Sequence, residues 1–167
     1  MRFLLIDRIT SLVPNESITA VKNVSIAEEY LADHFPGFPV LPGVFMLEAL
    51  TQTGAWLMRA SNDFAYSTIL LKETRALKYN AFVAPGDQLQ LSMTVKKKSE
   101  NIWEFMGSGK LASTGESAVS ARVVLTQFNV ADRDPAARPG DEARKAWLRQ
   151  LYPTLWSPAP ATQEMAS

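Results

Sequence analysis

The chain has 167 residues, 47% of them hydrophobic, and its 17 Lys and Arg balance its 17 Asp and Glu. This length fits one domain, zero net charge argues against general nucleic-acid binding, and no apolar run is long enough to predict a membrane span. The chain has one histidine and no cysteine, which excludes disulfides, thiolate nucleophiles and Cys-ligated metals and fits a cytoplasmic protein.

The N-terminal part predicts two strands, a short helix and a stiff loop. Residues 3–13 and 17–24 are the strands, separated by the turn residues Pro14-Asn15-Glu16. Ser25-Ile26-Ala27-Glu28 is a capping-box pattern and predicts a short helix to about residue 32. Residues 34–43 contain three prolines and two glycines, which exclude a helix or a central strand.

Residues 44–60 predict a helix that is apolar on nearly every side. A helix of this kind is buried inside a protein rather than laid on its surface. Its small residues Ala49, Gly54 and Ala55 allow another backbone to approach closely.

The remaining core consists mainly of predicted strands. In residues 88–98 apolar and polar residues alternate, as in a half-buried antiparallel strand. One buried helix among five or more antiparallel strands predicts an α+β fold in which a sheet wraps around the helix. A single copy would leave a sheet edge and part of the helix open, which predicts pairing of two copies. The other strands are predicted at 67–75, 76–83, 102–112 and 117–130, with a turn at Pro85-Gly86-Asp87.

The pattern changes after residue 130, so we predict a core domain at 1–130 and an appended segment at 131–167. Residues 131–140 are expected to be a linker, and residues 141–152 a short helix that Pro153 stops. The Pro-, Ala- and Ser-rich tail after Trp156 is expected to be flexible.

His34 and Glu48 are the candidate catalytic base and acid. His34 opens the proline-stiffened loop, which can hold an imidazole in one orientation, although a lone histidine is often only structural. Glu48 is the only charged residue of the predicted helix before Arg59, and an apolar setting favours the protonated carboxyl that a general acid needs. The alternative is a carboxylate placed near the helix N-terminus by the helix dipole.

Two further residues could support such a pair. Gln52 lies one turn beyond Glu48, at i+4, where it can hydrogen-bond the carboxyl group. Gly43 begins the helix, and its unpaired backbone N–H suits a carbonyl oxygen that becomes negative. A glycine required only by the turn is the alternative.

The stretch from His34 to Gln52, HFPGFPVLPGVFMLEALTQ, closely resembles the motif of the β-hydroxyacyl-acyl-carrier-protein dehydratases of fatty-acid synthesis. The similarity also includes residues 3–8, Lys22-Asn23-Val24 and Pro85-Gly86-Asp87, and covers roughly residues 3–130. Glu rather than Asp at position 48 resembles the branch that dehydrates without moving the double bond.

The resemblance implies a hotdog fold and a hydro-lyase that converts 3-hydroxyacyl-[acyl-carrier-protein] to the trans-2-enoyl form in fatty-acid or related lipid or polyketide synthesis. It implies a homodimer or a trimer of dimers, with His34 from one subunit, Glu48 from the other and Gly43 N–H on the thioester carbonyl. No metal and no organic cofactor is expected. An apolar tunnel would hold the acyl chain, and Phe35, Val44 and Phe45 are candidate lining residues.

The acyl carrier protein is the expected partner, and it would be met by basic side chains. Each candidate is individually more typical of a solvated surface. Where relatives carry a basic pair and a proline before Pro85, this chain has Asn80-Ala81-Phe82, which suggests a divergent subfamily. The candidate docking residues are Arg75, Lys78, Lys96, Lys97, Lys98 and Arg122.

Three other functions compete with this interpretation. A hotdog acyl thioesterase would use the carboxylate to activate water and would release free acid. A hydratase acting on coenzyme A thioesters uses an Asp before its His, an order not seen in this motif. A non-catalytic acyl-carrier-binding subunit would not need both His34 and Glu48.

Overall fold

The computed structural model describes residues 3–157, which form one six-stranded antiparallel sheet and two α-helices. The strand order is β1-β2-β4-β5-β6-β3, so β1 and β3 are the two edges. Three short 3₁₀ turns lie at Glu29–Leu31, Val130–Asp132 and Pro135–Ala137. The elements are β1 (Arg8–Val13), β2 (Ser17–Asn23), α1 (Gly43–Ser61), β3 (Thr68–Tyr79), β4 (Gln88–Lys98), β5 (Ile102–Leu111), β6 (Ser117–Phe128) and α2 (Arg138–Leu155).

The core lies between α1 and one face of the sheet. In β4 the alternation predicted from the sequence is present, because Leu89, Leu91 and Met93 are fully buried. Burying a side chain of this size contributes about 1.5–3 kcal/mol. A Cβ at Gly54 would lie 2.9 Å from Met93 Cε, so a glycine here lets α1 approach the sheet closely.

This arrangement confirms the predicted α+β class, with an antiparallel sheet around a central helix. The loop at residues 34–42 and the bounds of α1, β4, β5 and β6 agree with the prediction to within about two residues. Neither α-helix in the described part of the chain combines the length and apolar character that crossing a bilayer requires.

The first predicted strand is too long at its N-terminal end. Leu5 and Ile6 are buried like strand residues, but regular strand pairing starts only at Arg8. The backbone N–H of Leu5 donates to the Gln52 side chain instead of to a neighbouring strand. Burial of this segment is therefore achieved without a sheet ladder.

Two further boundaries were wrong. The helix predicted at residues 25–32 is a turn followed by one 3₁₀ turn, although the Glu28 side chain does accept from Ser25 N–H as in a capping box. The strands predicted at 67–75 and 76–83 are one strand, β3, which pairs with β6 through a bulge near Ala76, whose φ is 50°. An irregularity in register bends a strand without ending it.

The appended segment is more ordered than predicted. The linker expected at 131–140 contains two 3₁₀ turns and the start of α2, and α2 passes through Pro153 to Leu155. Pro153 lies in the last turn and removes one N–H bond there, but the packing of Tyr152 and Leu155 holds this turn in place. The predicted flexible tail falls largely on residues 158–167, outside the described residues.

Helix α2 is docked on the end of α1. The ring of Tyr152 stacks on Trp56 with centroids 6.0 Å apart and meets the edge of Phe64 at 5.4 Å. Leu148 and Leu155 are buried in the same core. Asp141 is buried at the other end of the helix and accepts hydrogen bonds from Ser67 Oγ and from the backbone N–H groups of residues 130 and 131.

Candidate active site

The His34 loop is closed by its own backbone. Val40 N–H donates to His34 O over 3.0 Å, and Phe35 and Phe38 exchange backbone hydrogen bonds within the loop. Leu41 N–H donates to Val83 O over 2.8 Å and ties the loop to the segment before β4. The prolines and these bonds together fix the position of His34 relative to the start of α1.

The ring of His34 is oriented by Val40. Its Nδ1 lies 3.1 Å from Val40 O, and a carbonyl oxygen can only accept, so Nδ1 carries the proton and donates it. The neutral ring then has a free lone pair on Nε2. This is the tautomer that a general base requires.

A cavity of 290 Å³ joins His34 to the N-terminus of α1. Gly43 is the first residue of α1, and its amide is among those with no partner inside the helix. A Cβ at Gly43 would lie 3.2 Å from Tyr79 Cζ, so the tyrosine ring packs directly on this glycine. Burial raises the pKa of the Tyr79 phenol, which therefore stays neutral near pH 7. The other lining residues are Phe35, Val40, Leu41, Met46, Asn80, Ala81 and Phe82.

Glu48 lies one turn into α1 and is held by Gln52. Gln52 Nε2 donates to Glu48 Oε1 over 2.9 Å, the contact that the i+4 spacing predicted. Gln52 is held in turn by the N-terminal segment, since its Oε1 accepts from Leu5 N–H over 2.9 Å and its Nε2 lies 3.2 Å from Phe3 O. Glu48 is thus part of a chain of hydrogen bonds that ends on backbone atoms.

Glu48 and Gln52 line a second cavity, of 580 Å³. Its floor is one stripe of α1, with residues at i, i+3, i+4, i+7, i+8 and i+11 from Glu48. Its walls come from the N-terminal segment, the start of β3 and helix α2. The lining residues are Phe3, Leu4, Glu48, Thr51, Gln52, Ala55, Trp56, Arg59, Ile69, Leu70, Arg144, Trp147 and Leu148.

Within one chain His34 and Glu48 do not share a cavity. Of the described residues, none that lines the His34 cavity is a carboxylate and none that lines the Glu48 cavity is a histidine. His34 is the only histidine of the chain, and its separation from Glu48 is the arrangement expected where two copies share a site. A shared site of this kind is what the family resemblance implied.

The three candidate tunnel residues lie in different places. Phe35 lines the His34 cavity and stacks on the His34 ring with centroids 4.3 Å apart. Val44 is 64% exposed. Phe45 lines neither of the two cavities and packs edge-on against Phe3 and Tyr30.

The six candidate docking residues fall into two groups. Arg75, Lys78 and Arg122 surround one surface cavity of 400 Å³ on the sheet, where Arg75 pairs with Glu73 and Arg122 with Glu104. Lys96, Lys97 and Lys98 lie at the end of β4. Lys98 Nζ donates to Asn15 Oδ1 over 2.8 Å and lies 5.3 Å from the centre of the Trp103 ring.

Sequence reasoning missed Tyr79 beside Gly43 and the wall of the Glu48 cavity. The stripe of α1 beyond Gln52 was available in the sequence, because Ala55, Trp56 and Arg59 continue the helical spacing from Glu48. The contribution of α2 had no such signal. It depends on how α2 docks, which no local pattern specifies.

Comparison with known proteins places these features in a family. A model of the FabA-like domain matches residues 1–122. A 3-hydroxyacyl-[acyl-carrier-protein] dehydratase FabZ of Latilactobacillus sakei is 43% identical over 124 residues, which cover 73% of this chain and 86% of the relative. A protein of the same name from a Janthinobacterium species is 34% identical over 137 residues, 80% of this chain and 86% of the relative.

Solved structures share the fold at low identity. The dehydratase heterocomplex ApeI:P from Xenorhabdus doucetiae matches with a TM-score of 0.64 and 20% identity, over 77% of this chain and 85% of that one. A hypothetical thioesterase with coenzyme A from Streptococcus pneumoniae matches with a TM-score of 0.53 and 10% identity, over 73% and 85%. These neighbours confirm the hotdog fold and do not distinguish the reactions that it supports.

Proposed function

This chain belongs to the FabA-like family, and on that premise we propose that it is a 3-hydroxyacyl-[acyl-carrier-protein] dehydratase whose catalytic groups are His34 and Glu48. The enzyme is a hydro-lyase that removes water from the 3-hydroxyacyl group and leaves the trans-2-enoyl product. The observation that carries the residue assignment is that the two cavities contain different catalytic groups. One offers an oriented imidazole beside a free helix amide, and the other an oriented carboxyl group.

In the proposed mechanism His34 Nε2 takes a proton from C2 of the acyl chain. The electron pair of the C–H bond forms the C2–C3 double bond as the C3–O bond breaks. The protonated carboxyl of Glu48 gives its proton to the departing hydroxyl, which leaves as water. Gly43 N–H stabilises the negative charge that develops on the thioester oxygen.

Because His34 and Glu48 line different cavities of one chain, we propose a homodimer as the catalytic unit. Strand β3 is a sheet edge of 12 residues whose backbone donors and acceptors are open on one side. Large apolar side chains are exposed on it and around it, an arrangement typical of an association surface. They include Leu70, Leu71, Tyr79, Phe82 and Val44. Further assembly into a trimer of dimers is compatible with this unit.

Arg75, Lys78 and Arg122 are the proposed docking group for the acyl carrier protein. They surround one surface cavity, and a positive surface speeds the approach of an acidic partner.

Mixed dimers test whether the site is shared. His34→Ala and Glu48→Gln should each lower kcat by at least about a hundredfold, the lower bound for a positioned acid or base. When the two inactive variants are refolded together, half of the dimers are mixed and each has one intact site, so about a quarter of the activity should return. Mixing that restores nothing would mean that both residues act from the same subunit.

Mass spectrometry of the carrier tests the reaction itself. With 3-hydroxyacyl chains of graded length, the product should be lighter by one water and still attached to the carrier. Release of free 3-hydroxy acid would identify a thioesterase instead.

A further inference from the structure

Helix α2 lies beyond the part of the chain that matches the family, yet it forms a wall of the Glu48 cavity. The FabA-like match ends at residue 122, and α2 covers Arg138–Leu155. Arg144, Trp147 and Leu148 face the cavity at i, i+3 and i+4 of the helix. The stacking of Tyr152 and the buried Asp141 hold α2 in place, so these side chains form a fixed wall.

The cavity is polar at both ends and apolar in between. Along the stripe of α1 that lines it, Glu48 and Gln52 come at the start and Arg59 at the end, and the charge of Arg144 from α2 acts on Arg59. Arg59 lies 11 residues along α1 from Glu48, which at the rise of an α-helix is about 16 Å. The middle is mainly apolar, with Leu4, Ala55, Trp56, Ile69, Leu70 and Leu148 among its lining residues.

Arg59 and Arg144 form a cationic pair that no acidic side chain of residues 3–157 neutralises through an ion pair. Arg59 Nε is buried and has no hydrogen-bond partner in residues 3–157, while its guanidinium carbon lies 5.2 Å from the centre of the Trp56 ring. In the same part of the chain neither Arg59 nor Arg144 forms an ion pair. Burial and the charge of Arg144 lower the pKa of Arg59 to about 10, still above neutral pH. Arg59 as a whole is half-buried and Arg144 is exposed. A partly desolvated cation without a counterion is unfavourable, so an anion placed here would be stabilised.

We infer that Arg59 and Arg144 form a subsite for an anionic group of the substrate, at the opposite end of the cavity from Glu48. This inference rests on the proposed dehydratase function for the nature of the ligand. Two parts of such a substrate can carry an anion at a distance from the reacting carbons. One is the phosphate of the pantetheine arm, and the other is a carboxylate at the far end of the acyl chain.

Binding of two matched probe pairs tests the subsite without requiring turnover. The first pair is pantetheine 4′-phosphate and pantetheine. The second is the dodecanoyl thioester of N-acetylcysteamine and its ω-carboxy analogue. By calorimetry, the intact protein should bind the anionic member of one pair about tenfold more tightly, the value of one charge-assisted contact. The pair that shows this preference identifies the source of the anion.

Substitutions at Arg144 test whether Arg59 and Arg144 cause the preference for the anionic probe. Arg144 is exposed on α2, so Arg144→Gln should fold normally and lose the preference, whereas Arg144→Lys should retain most of it. Arg138→Gln, on the same helix but outside the cavity, is the matched control and should bind like the unmodified protein. Equal binding of both members in both pairs, or an unchanged preference in Arg144→Gln, would overturn the inference. A protein that shows the preference but does not dehydrate any substrate would instead refute the proposed function.

Discussion

Gln52 orients Glu48 through one hydrogen bond, from Gln52 Nε2 to Glu48 Oε1, of 2.9 Å. The amide of Gln52 cannot turn around, because its Oε1 accepts from Leu5 N–H and an NH₂ group in that position would have no acceptor. The buried N-terminal segment therefore determines that the NH₂ group of Gln52 faces the carboxyl group of Glu48. We regard Gln52 as a positioning residue for Glu48.

Replacing Gln52 should separate this positioning role from folding. Gln52→Glu keeps an acceptor for Leu5 N–H but places a carboxylate oxygen where the amide donated to Glu48 and Phe3 O, so kcat should fall about tenfold or more and repulsion between the two carboxylates should also lower the Tm. Gln52→Leu removes both, and should also lose about 1–3 kcal/mol of unfolding free energy through the unpaired Leu5 amide. Steady-state kinetics and thermal melts measure both effects, with Gln90→Leu on the exposed part of β4 as the control. A native kcat in Gln52→Leu, which has no proton to donate, would show that Glu48 needs no donor.

The Gly43 amide can be removed without breaking the helix. Proline is tolerated at the first helical position, and Pro42, with φ −54° and ψ 136°, already has the conformation that precedes a proline. Gly43→Pro should therefore fold and lose about 10²–10³ in kcat, the usual effect of deleting one oxyanion donor.

Gly43→Ala is the matched control for this variant. It adds the same Cβ, 3.2 Å from Tyr79 Cζ, but keeps the N–H. Any loss that the two variants share measures the contact with Tyr79, and only the excess in Gly43→Pro belongs to the amide. Equal activity of the two variants would remove Gly43 from the mechanism.

The sequence predicted those parts of the candidate site and of the fold that are determined by residues close together along the chain. The prolines and glycines of residues 34–43 predicted the loop that fixes His34, and the spacing of Glu48 and Gln52 predicted their contact. The alternation in β4 predicted which side chains are buried. In each case the deciding interactions lie within a few residues along the chain.

The failures at Leu5 and Pro153 have a common physical cause, because both depend on contacts between distant segments. Leu5 is apolar enough for a strand, but its backbone pairs with a helix side chain 47 residues away. Pro153 is a helix breaker by local rules, but tertiary packing of Tyr152 and Leu155 holds the last turn together. The wall that α2 contributes to the Glu48 cavity follows from the same docking.

Asp141 should anchor α2 to the rest of the domain. Its carboxylate accepts from Ser67 Oγ over 2.5 Å and from Ala131 N–H over 2.8 Å. Asp141→Asn should lower the Tm by several degrees at pH 7, because one oxygen becomes an NH₂ group facing donors. Glu142→Gln, in an exposed i,i+3 pair with Lys145, should leave the Tm nearly unchanged.

The stabilisation that Asp141 gives to the fold should decrease as the pH falls. The hydrogen bond from Ser67, together with those from the backbone, holds the pKa of Asp141 below its usual value of 3.8. A pKa lowered by folding means that stability is present above the unfolded value and is lost as the pH falls through the folded value. The Tm difference between Asp141→Asn and the unmodified protein should therefore be constant near pH 6–7 and narrow below about pH 4. A difference that widens in acid would contradict this assignment.

Lys78 is the member of the proposed docking group whose charge is not already paired. Arg75 contacts Glu73 and Arg122 contacts Glu104, whereas Lys78 forms no ion pair within residues 3–157. Lys78→Glu should raise KM for carrier-bound substrate severalfold at low salt, with a smaller effect at high salt because exposed charges are then screened. It should leave the kinetics of an N-acetylcysteamine thioester unchanged, since that substrate has no carrier. Lys110→Glu, a reversal of the same size outside this group, is the control. A rise in KM for both substrates would place Lys78 in the substrate cavity rather than on the docking surface.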